Sequence, residues 1–210
     1  MLDNYEKTID GVIKQKEYKT YDYNKEYSDS RYSIFNDRGN ILNLRLGYII
    51  GSLGFTPKSL LDVGYGNGDF LDNCVGTIDT LYGNDILPAY PLKEDIEYVL
   101  DITEKNVDVI TFFDSLEHFE NIEFVKDLKC KYVIISLPWC SKGDDDEWFR
   151  NWKHRKPDEH LYHFDEQSLI RFMKRMGFEC INYTNLEDKI RVDKKYNPNI
   201  LTGCFKKIVD

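Results

Sequence analysis

The sequence predicts an α/β fold, a doubly wound sheet of parallel strands with helices on both faces. Short apolar runs recur along the chain, and several are followed by turn residues and then by apolar residues at helical spacing. Two of the runs, 107–113 and 132–137, are almost continuously apolar, as expected for strands buried on both faces of a parallel sheet. Alternation of strands and helices along one chain is typical of this fold class.

The bulk composition limits the possible functions. The 210 residues suit one domain, which we place at residues 41–210, after an N-terminal arm or cap at residues 1–40. A formal charge of −9 and a pI near 5.0 argue against nucleic acid as a partner, because such binding depends on lysine and arginine. The five cysteines form no paired motif, and no stretch has the pattern of a signal peptide or a membrane span. We therefore expect a cytoplasmic protein with reduced thiols and no membrane partner, either a monomer or a homodimer.

The first forty residues match no specific pattern. Apolar residues at helical intervals within residues 1–19 predict a short amphipathic helix. Five tyrosines follow among polar residues, without a period: Tyr18, Tyr21, Tyr23, Tyr27 and Tyr32. Because tyrosine offers an apolar ring with a polar tip, this tyrosine-rich segment is either an arm packed on the domain or a cap over a substrate pocket.

The central element of the pattern is the stretch 60–71, LLDVGYGNGDFL. A short apolar strand stops at three alternating glycines, and a helical pattern follows, which predicts a strand, a glycine turn and a helix. Such a turn brings backbone amides close to a ligand, and the helix start adds further N–H donors for a polar or anionic group. The glycines lie at relative positions one, three and five, whereas the dinucleotide fingerprint has one, three and six. This spacing disfavours a nicotinamide or flavin site.

The motif Asp62-Val63-Gly64-Tyr65-Gly66-Asn67-Gly68 resembles the first motif of the class I S-adenosylmethionine-dependent methyltransferases. The resemblance covers the chain from Ile41 to the C terminus. It implies a seven-stranded, mostly parallel sheet whose last strand is antiparallel, and a site for S-adenosylmethionine and its product S-adenosylhomocysteine. The cofactor contacts that it implies are Asp62, Gly64, Tyr65, Gly66, Gly68, Asp85, Asp101, Ile102 and Asp114.

Two strand ends extend this resemblance. Asp85 ends the strand after the glycine turn, and the family uses an acid there to accept bonds from both ribose hydroxyls; the alternative is an ordinary turn aspartate. Asp101-Ile102 resembles the third motif, in which an acid faces the exocyclic amine of adenine. Arg45, on the predicted helix 41–53, is either a contact for the cofactor carboxylate or a solvated or ion-paired residue on a helix flank.

His118 is the candidate catalytic residue. It ends the segment Asp114-Ser115-Leu116-Glu117-His118, which follows the strand 107–113 and resembles the Leu-Glu-His step of small-molecule methyltransferases. Active-site residues gather at the carboxyl ends of such strands, and histidine titrates close to the working pH, as a general base requires. The alternatives are that His118 packs or caps the following helix, or that Glu117 or His160 is the base.

The C-terminal half completes the predicted sheet. Residues 119–128 predict a helix, and a second helix runs from an N-cap at Asp165 to Gly177, between a strand at 132–137 and strands at 178–183 and 200–208. The intervening stretch 139–163 is long, aromatic and charged, so we expect it to close over the acceptor together with the tyrosine-rich segment.

These patterns favour a methyltransferase that acts on a small polar acceptor, most simply a hydroxyl. Methylation of nucleic acid or protein is an alternative, but residues 114–117 lack the proline-aromatic step of exocyclic-amine enzymes, and Pro138 precedes a tryptophan rather than a nucleophilic cysteine. A non-catalytic relative that binds the cofactor is a further possibility. We expect no metal, although one alternative is a metal enzyme that uses the acids and histidines of the long loop: Asp144, Asp145, Asp146, His160 and His163.

Overall fold

The computed structural model describes residues 3–21, 23, 26 and 38–208, so Tyr27 and Tyr32 of the tyrosine-rich segment lie outside the described residues. Its helices and strands, in chain order, are β1 (Tyr5–Lys7), β2 (Ile13–Gln15), α1 (Arg38–Leu53), β3 (Ser59–Val63), α2 (Asp69–Cys74), β4 (Thr80–Asn84), β5 (Ile96–Tyr98), β6 (Asn106–Phe113), β7 (Lys129–Pro138), α3 (Asp146–Asn151), β8 (Tyr162–His163), α4 (Glu166–Arg175), β9 (Phe178–Thr184) and β10 (Ile200–Lys207). None of the helices in these ranges is long and apolar enough to cross a bilayer.

Seven strands form the central sheet, in the order β5-β4-β3-β6-β7-β10-β9. The five strands from β3 to β7 pair in parallel, and β10 is inserted antiparallel between β7 and β9. The predicted fold class, including the antiparallel last strand, is confirmed. The strand order reverses between β3 and β6, and in open α/β sheets such a switch point is where ligands bind, beyond the carboxyl ends of the strands.

Alternate side chains of each central strand enter two separate cores. In β7, Val133 and Ile135 pack on the face covered by α4, whereas Ile134 packs on the face covered by α1 and α2. All three side chains are fully buried, as the near-continuous apolar run requires. A one-residue slip would exchange the side chains of the two cores, so their packing sets the register of the sheet and the positions of its strand ends.

The helix predicted within residues 1–19 is wrong, because this segment forms a hairpin. β1 and β2 pair antiparallel, and β2 also pairs with β8, which gives a second sheet of three short strands. A turn closed by the Gly11 N–H on the Thr8 carbonyl reverses the chain, with Gly11 at φ +83°. The apolar spacing of this segment is compatible with the period of a helix and with that of a strand. Pairing of β2 with the edge of β8 favours the strand.

The helix predicted at residues 119–128 is also wrong. Within this range the described chain forms only one short 3₁₀ turn, Glu123–Asp127, and another, Leu116–His118, precedes it. Ile122, Val125 and Leu128 are nevertheless buried in the core, as the pattern requires. Their spacing of three residues places them on one face of a 3₁₀ turn as well as of an α-helix, so the pattern alone does not distinguish the two.

Candidate functional site

A cavity of about 970 Å³ opens beyond the carboxyl ends of the central strands. Gly64 after β3, Asp85 after β4 and Asp114 after β6 all line it. Tyr21 and Tyr23 of the tyrosine-rich segment line it as well. The cavity therefore lies at the switch point of the sheet, and its volume is that of a site for an organic ligand.

The glycine turn begins the wall of this cavity. Gly64, Gly66 and Gly68 have φ values of +81°, +61° and +80°, a conformation that side chains disfavour. The Gly64 N–H donates to the Asn84 carbonyl over 2.7 Å, which joins the turn to the end of β4. A Cβ atom on Gly64 would lie 2.6 Å from the Cβ of Ser115, so glycine is also required here for close packing of the two strand ends.

Asp62 lies beneath the turn with 3% of its surface exposed. The Thr111 hydroxyl of β6 donates to its carboxylate over 2.6 Å. Burial raises the pKa of Asp62 to about 6, although the Thr111 bond and the positive charge of Arg45 act in the opposite direction. Asp62 is thus part of the cavity floor and braces the first strand against the neighbouring one.

Asp85 connects the glycine turn to the rim of the cavity. Its carboxylate accepts the Gly66 N–H and the Leu87 N–H, each over 2.9 Å. Burial raises the pKa of this carboxyl above its ordinary value, and the two backbone donors partly offset the shift. Since a carboxylate has about four acceptor positions, the two backbone bonds leave capacity for ligand hydroxyls.

Three predicted cofactor residues lie away from the cavity lining. Gly68 precedes the first turn of α2, Ile102 is buried in the core, and Asp101 accepts bonds from the N–H and hydroxyl of Thr103. Leu100 lines that side of the cavity instead. The other six predicted cofactor residues line the cavity together: Asp62, Gly64, Tyr65, Gly66, Asp85 and Asp114.

A network of four charged side chains closes one side of the cavity. Asp114 accepts hydrogen bonds from Arg45 over 3.0 Å and from Arg191 over 2.8 Å, and the fully buried Glu187 accepts from the same two residues. Burial alone would raise the pKa of Glu187, but the two guanidinium groups outweigh it and hold this pKa below its ordinary value. Arg45 is therefore ion-paired. Glu187 and Arg191 were missed from the sequence, because the connection between β9 and β10 carries no motif or period.

His118 lies in the 3₁₀ turn after β6 and lines the cavity. Its Nδ1 is 2.9 Å from the hydroxyl of Tyr23, and its Nε2 is 3.9 Å from Oε1 of the buried Glu117. The ring of His160 packs edge-on against the His118 ring, with 4.6 Å between centroids. The sequence neither grouped Glu117 with His160 nor paired Tyr23 with His118.

The histidines and acids of the long loop do not form the cluster considered from the sequence. Asp144, Asp145 and Asp146 are exposed at the start of α3, and among the described residues none of the three groups with a histidine at metal-binding distance. His163 is buried among the rings of Tyr5, Phe149 and Trp152. Burial, followed by the charge of Arg155, lowers the pKa of His163 to about 3.

Comparison with solved structures supports the fold. A Burkholderia thailandensis 1,6-didemethyltoxoflavin-N1-methyltransferase, solved with 1,6-didemethyltoxoflavin and S-adenosylhomocysteine, is 13% identical, with a TM-score of 0.59 over 98% of this chain and 100% of that one. The methyltransferase domain of bacterial CtHen1 is 15% identical, with a TM-score of 0.53 over 77% of this chain and 97% of that one. The [4+2]-cyclase SpnF is 13% identical, with a TM-score of 0.57 over 81% of each chain. The fold alone therefore does not define the reaction.

The sequence of the chain identifies the family. No curated protein matches it, but the model of the family described as "Methyltransferase domain" matches residues 42–183. This range begins in α1, contains the glycine turn and His118, and ends in β9. The chain belongs to this methyltransferase family and is an S-adenosylmethionine-dependent enzyme of class I fold.

Proposed function

We propose that this enzyme transfers the methyl group of S-adenosylmethionine to a hydroxyl of a small polar acceptor. The observation that carries the proposal is that two groups of residues line one cavity. The glycine turn and Asp85, joined by the Gly66 N–H bond, form one group, and His118 with Tyr23 and Tyr21 forms the other. We assign the first group to the cofactor, because its glycines permit close approach to the backbone and Asp85 keeps acceptor positions, and the second, the acceptor end, to a small acceptor that meets rings and polar tips.

Methyl transfer needs little covalent chemistry from the protein. The acceptor oxygen attacks the sulfonium methyl in line, so the enzyme has to align the two reactants, exclude water and remove the acceptor proton. Tyr21 and Tyr23 line the cavity together with His118, and aromatic rings there favour exclusion of water at the acceptor end. The hypothesis that His118 is the general base stays a prediction, supported by its place in the lining and its contact with the Tyr23 hydroxyl.

The charge of the cavity supports a small acceptor over a nucleic acid. Of the residues that the structure describes, six carboxylates line it, Asp62, Asp69, Asp85, Asp114, Glu120 and Asp158, against three basic side chains, Lys19, Arg45 and Arg191. A phosphate backbone requires the opposite balance. A small acceptor is also consistent with the Burkholderia thailandensis neighbour, which holds a small heterocycle beside S-adenosylhomocysteine.

The test combines calorimetry with product analysis. S-adenosylmethionine and S-adenosylhomocysteine should each bind with measurable heat at one site per chain. Incubation with S-adenosylmethionine that carries a trideuterated methyl group and panels of phenols, alcohols and amines should then label a hydroxyl acceptor. Labelling of amines alone would refute O-methylation, and labelling of oligonucleotides alone would favour the nucleic-acid alternative.

A further inference from the structure

We propose that Glu117, His118 and His160 form a binding site for a divalent transition-metal cation with the ligand preference of zinc or ferrous iron. A carboxylate oxygen and two imidazole nitrogens, one from each residue, lie within 4.8 Å of one another. One carboxylate with two imidazoles is a common donor set for catalytic Zn²⁺ and for non-haem Fe²⁺, and it leaves coordination positions open.

The backbone holds the two halves of this site together. Glu117 and His118 lie in the 3₁₀ turn after β6, whereas His160 precedes β8. The Leu161 N–H donates to the Glu117 carbonyl over 2.8 Å, and the Tyr162 hydroxyl donates to the Glu120 carbonyl over 3.0 Å. The three donors are thus held by one main-chain bond and one side-chain bond between two segments that are distant in sequence, which is why the sequence predicts no metal here.

His160 supplies an independent observation. Its side chain is only 2% exposed, and neither ring nitrogen has a hydrogen-bond partner among the residues that the structure describes. Buried polar atoms are almost always satisfied, so this imidazole calls for a partner. Glu159 is nearby, with Oε1 3.8 Å from the His160 Nε2, but its carboxylate accepts from Lys156 over 2.8 Å. A cation between His160, His118 and Glu117 satisfies one of the two ring nitrogens.

His118 has the second contact that metal-bound histidines usually show. Its Nδ1 is 2.9 Å from the Tyr23 hydroxyl. When Nδ1–H donates to that oxygen, the lone pair is on Nε2, the nitrogen 3.9 Å from the Glu117 carboxylate. Metal–ligand bonds of about 2.0–2.2 Å place neighbouring donors about 3.4 Å apart, so side-chain movements of about 1 Å close the site.

The role of the cation rests on the proposed function. Since His118 lines the cavity, a cation bound by it lies at the acceptor end. The acceptor hydroxyl coordinates the cation and releases its proton to water, because a bound cation lowers the pKa of a coordinated O–H group. The oxygen lone pair then forms the O–C bond to the methyl group, while the C–S bond breaks and leaves its electron pair on sulfur. In this state His118 is a ligand rather than the general base.

Cobalt binding tests the site without methyl donor or acceptor. Chelator-treated full-length protein titrated with Co²⁺ should bind one equivalent and develop visible d–d absorption, and Zn²⁺ should displace it. Glu117→Gln and His160→Gln should each weaken Co²⁺ binding at least tenfold. His154→Gln is the matched control, because His154 is a histidine outside the cluster that bonds to Asn199, and it should bind as the wild type does.

The outcomes separate the site from its role. Absence of visible absorption in the wild type, or equal weakening in the control, overturns the site. If the cluster variants do not fold, X-ray absorption of the wild-type Co²⁺ complex decides, since two imidazole ligands are expected and fewer refute the assignment. Chelated enzyme should lose turnover with S-adenosylhomocysteine affinity unchanged, and Zn²⁺ or Fe²⁺ should restore it. Metal binding with no change in turnover, or with no methyl transfer at all, keeps the site but overturns the catalytic role.

Discussion

Replacing Gly64 with alanine tests the packing of the glycine turn against the end of β6. The change introduces a Cβ at φ +81°, and the nearest atom is the Cβ of Ser115 at 2.6 Å, a distance that requires movement. Ser115 cannot move freely, because its hydroxyl donates to the Val63 carbonyl over 2.6 Å and both atoms are buried. The substitution therefore strains the backbone, and in addition it either leaves the two Cβ atoms too close or breaks this hydrogen bond.

The magnitude follows from these two contributions. A left-handed backbone costs a non-glycine residue about 1–2 kcal/mol, partly offset by the about 0.4–1 kcal/mol that alanine gains by restricting the unfolded chain. Loss of a buried hydrogen bond adds about 1–3 kcal/mol. We expect Gly64→Ala to lower the free energy of unfolding by about 2–4 kcal/mol.

Gly76 provides the matched control. Its φ is +79°, but a Cβ there would meet nothing within 4 Å, so Gly76→Ala isolates the backbone contribution. Urea unfolding of both variants should show a difference of about 1–3 kcal/mol in the free energy of unfolding. In the Ser115→Gly background, where the neighbouring Cβ and the hydrogen bond are both absent, Gly64→Ala should cost only the backbone contribution. Equal destabilisation of the two single variants would refute the argument that the turn is packed against Ser115.

Three further predictions follow from the site. Asp85→Ala should weaken S-adenosylhomocysteine binding by about 1–3 kcal/mol in calorimetry. Asp101→Ala changes a residue outside the cavity lining and should alter the affinity little. A larger loss of affinity in Asp101→Ala than in Asp85→Ala would support the adenine contact that the resemblance assigns to Asp101. Burial raises the pKa of Asp62 from 3.8 to about 6, so the folded state binds this proton more tightly than the unfolded state does. The free energy of unfolding of the wild type therefore falls as the pH rises from about 4 to 6. Asp62→Asn should be more stable than the wild type by about 2–3 kcal/mol at pH 8 and equally stable at about pH 3.5. Burial lowers the pKa of His163 to about 3 in the folded state, so the free energy of unfolding falls by about 1.4 kcal/mol per pH unit as the pH decreases below 6.5. His163→Leu should flatten that part of a pH profile measured by chemical denaturation. An unchanged slope would contradict the conclusion that His163 is buried in its neutral form.

The parts of the fold that follow from local pattern were predictable. The runs 107–113 and 132–137 are almost continuously apolar, and this composition predicts central strands of a parallel sheet. In the structure both runs are buried on both faces of the sheet. The glycine turn was equally clear, because three alternating glycines with positive φ have few other uses. Where the apolar spacing suited two conformations, as at residues 1–19 and 119–128, the sequence could not decide. Pairing with β8 and packing on the core decided instead.

The candidate site was predictable only where it lies on strand ends. Asp85 and Asp114 follow strands, so the topology places them at the cavity. Glu187, Arg191 and His160 come from connections without a period, and their partners are distant in sequence. The composition of such segments indicates a polar turn. Which side chains their residues contact depends on how the strands of the sheet pair in the folded protein.

The charged network argues against Arg45 as the partner of the cofactor's carboxylate. Arg45 and Arg191 already balance Asp114 and Glu187, so the four side chains are together neutral. A cofactor carboxylate that took Arg45 from this network would leave the buried Glu187 or Asp114 with fewer partners, and a buried carboxylate that loses a partner is strongly destabilised. The Gly64 and Gly66 N–H groups are engaged as well, with the Asn84 carbonyl and the Asp85 carboxylate. We therefore expect the cofactor carboxylate to leave Arg45 in its network, and this expectation follows from the position of Glu187, a residue that no sequence motif marks.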